Sequence, residues 1–223
     1  MIIVHHLNNS RSQRILWLLE ELGLPYQIRR YERDPKTMLA PPELIAVHPL
    51  GKSPVITEDG QTVAESGAIV EYLIERHDSG RLRPAAGTAQ RLRYTYWLHY
   101  AEGSAMPPLL MKLVFDSLPK QPMPFLVRPI VRRIASGAVD GFVMPQLDRH
   151  FDFWESELRD RDWFAGETFT AADIQMSFPV EAAAARAGLD QRRPRLMDFL
   201  KRIHARPAYV RALEKGGAYD LLS

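Results

Sequence analysis

Apolar positions in the first 80 residues switch repeatedly between period two and helical spacing, the signature of mixed α/β structure. Ile2, Ile3 and Val4 form a short apolar run that predicts a buried strand. Over residues 12–22, Ile15, Leu16, Leu18, Leu19 and Leu22 recur at helical spacing, and Gly23 followed by Pro25 supplies the stop signal. Residues 26–31 predict a second strand, 42–47 a short or irregular helix, and 55–57 and 61–63 two further strands. Asp59-Gly60 between these last two is a strong hairpin signal. Residues 66–76 close the series as a helix with Ile69, Val70 and Leu73 inward.

The order βαβ, short helix, ββα specifies a four-stranded mixed sheet, the βαβ crossover giving the parallel pair and the hairpin the antiparallel one. That topology is thioredoxin-like. Residues 78–87 are rich in Gly, Ser, Arg and Pro, and no convincing strand follows. The reading is an N-terminal thioredoxin-like domain over 1–80, a linker over 81–87 and an all-helical domain over 88–223. Helices are predicted at 88–111, 127–158 with a break near Gly137 or Gly141, 170–187, 194–205 and 207–215. Pro107-Pro108 and the proline-rich run 119–129 interrupt them, because proline lacks the amide donor and crowds the preceding turn. Thr170-Ala171-Ala172-Asp173 predicts a capping box, with Phe169 as the apolar residue ahead of it.

Composition narrows the chemistry. The 223 residues are 46% hydrophobic, ample for a buried core, and contain no cysteine. Disulfides, protein-thiolate metal sites and a cysteine nucleophile are thereby excluded, so any thiol chemistry must arrive on a ligand. No metal site is expected. The formal charge of +2 gives no large field to draw a polyanion, which argues against a nucleic-acid partner. Arg128, Arg132 and Arg133 read as a solvated helix face, with a patch for an anionic ligand as the alternative. Neither a signal peptide nor a membrane span is indicated, which leaves the cytoplasm as the expected location.

The densest chemical information lies in Leu50-Gly51-Lys52-Ser53-Pro54-Val55-Ile56 and in Glu65-Ser66 at the mouth of a helix. An X-Pro bond is cis in only about 5–6% of folded cases, so the residues alone leave Ser53-Pro54 trans. Glu65-Ser66 alone reads as a helix N-terminus in which Ser66 caps and Glu65 complements the dipole. Taken in order with Phe169-Thr170-Ala171-Ala172-Asp173-Ile174, however, these motifs make nearly the whole chain resemble a cytosolic glutathione transferase. Leu98-His99-Tyr100-Ala101-Glu102-Gly103-Ser104 and Met106-Pro107-Pro108-Leu109-Leu110 further resemble a theta-like bacterial and fungal subgroup of the serine type. The resemblance implies a cis Pro54 that frees the backbone of Ser53 to pair with the cysteinyl part of glutathione. It also implies that Ser66 and Glu65 grip the γ-glutamyl end and that Lys52 pairs with the glycyl carboxylate. Glutathione is then the co-substrate, a small apolar electrophile its partner, and a homodimer the expected assembly.

The resemblance places the thiol activator between the first strand and first helix, where His5, His6, Asn8, Asn9, Ser10 and Ser12 stand. Ser10 is chosen as the catalytic residue because it lies four positions before Arg14, where serine-type members carry the activating hydroxyl. Ser10-Arg11-Ser12-Gln13 also fits a capping box, and Asn8, Asn9 or Ser12 could donate instead. The His5-His6 pair reads as packing or surface, and Arg14 either raises the local potential or merely lies on a helix face. Lowering a thiol pKa by about 2 units from about 8.5 requires roughly 2.7 kcal/mol. One charge-assisted hydrogen bond at about 1.5–3 kcal/mol and a helix terminus at about 0.3–1 kcal/mol are together sufficient. Tyr100, Met106, Leu109, Leu110, Leu113 and Phe115 are candidates for an apolar wall against the electrophile, with core packing as the alternative. The implied activity is conjugation or reduction of organic hydroperoxides. Dehalogenation, isomerisation or a non-enzymatic binding role are the other outcomes on the same scaffold.

Overall fold

The computed structural model describes residues 1–37 and 39–221. Strands β1 (Ile2–Leu7), β2 (Tyr26–Tyr31), β3 (Val55–Glu58) and β4 (Gln61–Ala64) form one mixed sheet in the order β2-β1-β3-β4. β1 pairs parallel with β2, and antiparallel pairs join β1 to β3 and β3 to β4. Helix α1 (Ser12–Leu22) makes the crossover and ends on Gly23 in the left-handed region, where a residue without Cβ is unstrained. α2 (Pro42–Ile45) is short, and α3 (Ser66–His77) follows β4 directly. The sheet half is the thioredoxin-like unit that the periodicity predicted.

The remainder is helical: α4 (Ala89–Tyr100), α5 (Met106–Ser117), α6 (Arg128–Ala138), α7 (Met144–Glu157), α8 (Ala171–Arg186), α9 (Pro194–His204) and α10 (Pro207–Gly216). Two predicted features differ in an instructive way. Where one helix was expected over 88–111, a π turn at Ala101–Ala105 joins α4 to α5, and where a break was expected near Gly137 or Gly141, a second π turn at Val139–Val143 joins α6 to α7. Each π turn is followed by a methionine and then a proline, Met106-Pro107 and Met144-Pro145. Proline clashes with the preceding turn and offers it no amide, and widening that turn by one residue accommodates both defects without stopping the helix.

Helix α1 is buried on all sides because it packs against β1, α3, α8 and α10. Ile15, Leu16, Trp17, Leu18 and Leu19 are each at most 1% exposed, and the polar Ser12, Gln13 and Arg14 are buried with them. One continuous core cluster therefore runs from Val4 and Ile56 of the sheet to Ile174 and Phe199 of the helices. At the start of α8 the capping box is present. The Asp173 carboxylate accepts the Thr170 amide and, from the preceding loop, the Phe164 amide, each at 2.8 Å. Burial pushes the Asp173 pKa up to about 6 against the pull of those donors. Phe169 packs on Trp17 and Trp163, which fixes the cap to α1. By contrast, Arg128, Arg132 and Arg133 of α6 are exposed and, with Phe125, Pro129 and Ser136, line an open cavity of about 560 Å³.

Candidate functional site

The β1–α1 loop places Ser10 at the mouth of α1. Asn9 takes a left-handed conformation (φ 51°), which asparagine tolerates better than most residues. Both asparagine side chains hold the loop: Asn8 Oδ1 accepts the Arg33 amide at 3.1 Å, and Asn9 makes a two-point contact with Asp220, its Nδ2 donating to Oδ2 at 2.8 Å and its Oδ1 accepting the Asp220 amide at 3.0 Å. Ser10 Oγ lies 2.6 Å from Ser12 Oγ and donates to Ser53 Oγ at 3.2 Å. It also accepts the Ser12 amide at 3.3 Å, but the N-cap position of α1 is Arg11 and has no side-chain cap. The predicted Ser10–Gln13 capping box is therefore not formed; Gln13 is buried under α10 instead of reaching back.

Across from Ser10, the Ser53–Pro54 peptide is cis, as the resemblance implied. Ser53 precedes β3, and among the described residues its backbone makes no backbone hydrogen bond. Its side chain fixes it to β1, with Oγ donating to the His5 carbonyl at 2.9 Å and accepting the Leu7 amide at 3.3 Å. The Ser53 backbone, outside the sheet ladder, thus lies beside the Ser10 hydroxyl. Lys52, just before it, is exposed.

The second cluster lies at the start of α3. Glu65 occupies the N-cap position with φ 74° and ψ 124°, and it makes no side-chain cap; Ser66 is the first helical residue, so the expected Ser66 cap is corrected. Ser66 is 4% exposed and its hydroxyl accepts from Arg14 Nη2 at 3.1 Å. Arg14 is itself 1% exposed, donates through Nη1 to the Gln175 carbonyl at 2.6 Å and pairs with Glu102 from the first π turn. Glu102 also meets Arg11 Nε at 3.2 Å. Burial works to raise the Glu102 pKa, but Arg14 and Arg11 outweigh it and hold the carboxylate below its ordinary value. The Phe178 ring lies 5.4 Å from the Arg11 guanidinium and 5.3 Å from that of Arg14, a cation–π floor for both charges.

Of the residues selected from sequence, Ser10 and Ser53 are in direct contact, Ser66 is tied to α1 through Arg14, and Lys52 and Glu65 are exposed. Sequence reasoning gave no role to Glu102 and left Arg14 undecided. The signal for Arg14 was present, since it directly precedes the apolar run Ile15–Leu19, and an arginine buried with such a run needs a partner. His6, read as packing or surface, is buried and lies 2.8 Å from Ser12 Oγ through Nδ1. Of the proposed apolar wall, Tyr100, Met106 and Leu109 are buried in the core, whereas Leu110 and Leu113 are 52% and 43% exposed. Tyr100 is engaged by His150 and by Trp154 Nε1. Among the described residues, no group of three or more potential metal ligands lies together, and no helix is long and apolar enough to cross a membrane.

Comparison with known proteins agrees with this architecture. Residues 10–76 match the family model of the glutathione S-transferase N-terminal domain and residues 122–207 that of its C-terminal domain. Glutathione S-transferase 3 of Schizosaccharomyces pombe is 40% identical over 183 residues, covering 82% of this chain and 74% of that protein. Glutathione S-transferase 1 of Saccharomyces cerevisiae is 33% identical over 226 residues, covering 98% and 96%. The crystal structure of an Actinobacillus pleuropneumoniae glutathione S-transferase superposes with a TM-score of 0.80 at 33% identity, over 100% of this chain and 96% of that one. By the two domain matches and the identity to relatives along most of its length, the chain belongs to the glutathione S-transferase family.

Proposed function

We propose that this protein is a serine-type transferase of the theta-like group that binds glutathione on the sheet half and activates its thiol with Ser10 for attack on an apolar electrophile or for reduction of an organic hydroperoxide. The observation that carries the reading is the Ser10 hydroxyl at the opening of α1, 3.2 Å from Ser53 Oγ and beside the unpaired backbone edge of the cis Ser53–Pro54 peptide. A cysteinyl backbone laid along Ser53 brings its sulfur toward Ser10. The hydroxyl donates to the thiolate, and the positive end of α1 adds to that stabilisation. Ser10 is a hydrogen-bond donor in this scheme and forms no covalent bond. Ser66 and Glu65 take the γ-glutamyl end, and Lys52 takes the glycyl carboxylate. No metal takes part.

The unit division at 81–87, a cytoplasmic location and a homodimer belong to the same reading. Exposed Leu92 and Tyr96 on α4 and Ile130 and Ile134 on α6 are apolar surface that a second copy would cover. The test is Ser10→Ala, assayed for turnover of a model electrophile and for retention on immobilised glutathione. The expected result is a fall in kcat/KM of roughly 10²-fold, as for loss of one charge-assisted donor, with retention kept. Unchanged turnover moves the donor to Asn8, Asn9 or Ser12. Retention by the parent protein without turnover of conjugation or peroxide substrates points to dehalogenation, isomerisation or a binding role.

A further inference from the structure

The hydrogen bonds at Ser10 continue into the protein as a chain of single hydrogens. Ser53 Oγ–H is committed to the His5 carbonyl, which only accepts, and Ser10 donates to Ser53. Ser10 Oγ receives the Ser12 amide and lies 2.6 Å from the Ser12 hydroxyl, which in turn lies 2.8 Å from His6 Nδ1. Ser10, Ser12 and His6 are each at most 6% exposed, so water does not fill these contacts. A hydroxyl has one hydrogen and two lone pairs. If Ser10 donates outward, the 2.6 Å contact is filled by the Ser12 hydrogen, and the contact beyond it is filled by a hydrogen on Nδ1.

We propose that Ser12 and His6 are positioning residues for thiol activation, forming a reversible chain that runs His6 Nδ1–H to Ser12 to Ser10 to sulfur when the thiolate is bound. This rests on the reading of Ser10 as the donor to sulfur. The opposite direction is also built into the site. In the other neutral tautomer the ring hydrogen sits on Nε2, which leaves Nδ1 to accept from Ser12 and Ser10 Oγ to accept an incoming S–H.

Ionisation turns the chain around. The thiol hydrogen passes to Ser10, that of Ser10 to Ser12 and that of Ser12 to Nδ1, while the other ring nitrogen releases its proton to water. The sum is S–H to S⁻ with one proton to solvent and a neutral imidazole before and after. Burial, with Arg30 adding to it and Gly216 opposing, lowers the His6 pKa to about 4, which keeps the ring neutral. Charged groups near the chain include Arg30 at the imidazole end and, around Arg11, the residues Arg14, Arg33, Glu65 and Glu102.

Two measurements test the chain, neither of them turnover. The pH midpoint of ultraviolet thiolate absorbance from bound glutathione is compared in the parent, Ser10→Ala and Ser12→Ala. Since each upstream bond strengthens the next by roughly 10–30%, Ser12→Ala is expected to raise the midpoint by about half a unit, and Ser10→Ala by about 1–2 units. The tautomer of His6 is read from nitrogen-15 shifts in the parent protein with glutathione bound as thiolate, where Nδ1 is expected to carry the hydrogen. A Ser12→Ala midpoint equal to the parent's while Ser10→Ala shifts, or an unprotonated Nδ1 in the thiolate complex, overturns the chain and leaves Ser10 as donor. An unmoved midpoint in Ser10→Ala takes the donor reading down as well.

Discussion

Two buried polar networks lie on opposite flanks of α1, and they are made of different material. One is neutral and confined to the sheet half, linking His6, Ser12, Ser10 and Ser53 through hydroxyls. The other is ionic and crosses between halves, with Arg14 bonded to Ser66 of α3, to Glu102 of the first π turn and to the Gln175 carbonyl of α8. Hydroxyls can reverse their hydrogens at little cost, which suits a site where charge appears and disappears. A guanidinium has no acceptor and one fixed charge, which suits a joint that must hold a single geometry. On the proposed reading, the chemistry of each flank follows its task, switching on one and clamping on the other.

Removing the clamp is expected to have the largest effect. Arg14→Leu leaves Glu102 with Arg11 alone and strips a donor from the Gln175 carbonyl, and it should cost about 3 kcal/mol of stability by chemical denaturation. Adding Glu102→Leu should recover part of that loss in a double-mutant cycle; strict additivity would show that the pair does not couple the halves.

The two flanks also separate by pH. The folded pKa of His6 is depressed, so its neutral form contributes stability that is full above the unfolded value of 6.5 and is lost as pH falls toward about 4. The Glu102 pKa is likewise depressed, from 4.5, so the ionic flank is lost only in the window below that value. His6→Gln should therefore lose up to roughly 3 kcal/mol less than the parent between pH 6.5 and 4, while Glu102→Gln, which lacks the ionic contribution already at neutral pH, should lose less than the parent only as pH falls below 4.5. Equal acid profiles for His6→Gln and parent would remove the contrast. The smallest effect is expected for Ser66→Ala, which takes one acceptor from Arg14 and one hydroxyl from the proposed carboxylate site. A KM for glutathione raised about 5–10-fold with kcat nearly unchanged and about 1 kcal/mol of stability lost would place Ser66 in binding; a fall in kcat alone would not.

The strands, the crossover helix and the Thr170–Asp173 cap were legible because each rests on local rules of periodicity and capping. Ser10, Ser53 and Ser66 could be selected because their motifs are contiguous in the chain. Glu102 and His6 could not, since their roles come from contacts across 88 residues in one case and across a fully buried hydroxyl in the other. The apolar wall was the least legible part. Leu109 and Leu110 are neighbours in sequence, yet one is 6% and the other 52% exposed, a difference set by how α5 packs.

That packing depends on the single surplus residue held in the coil at Ala101–Ala105. Excising one amino acid there would turn every downstream side chain of α5 by about 100° about its axis, interchanging buried and exposed positions along three turns. Length at this spot consequently matters in its own right: deleting one residue is expected to be more damaging than most replacements of the residues on either side.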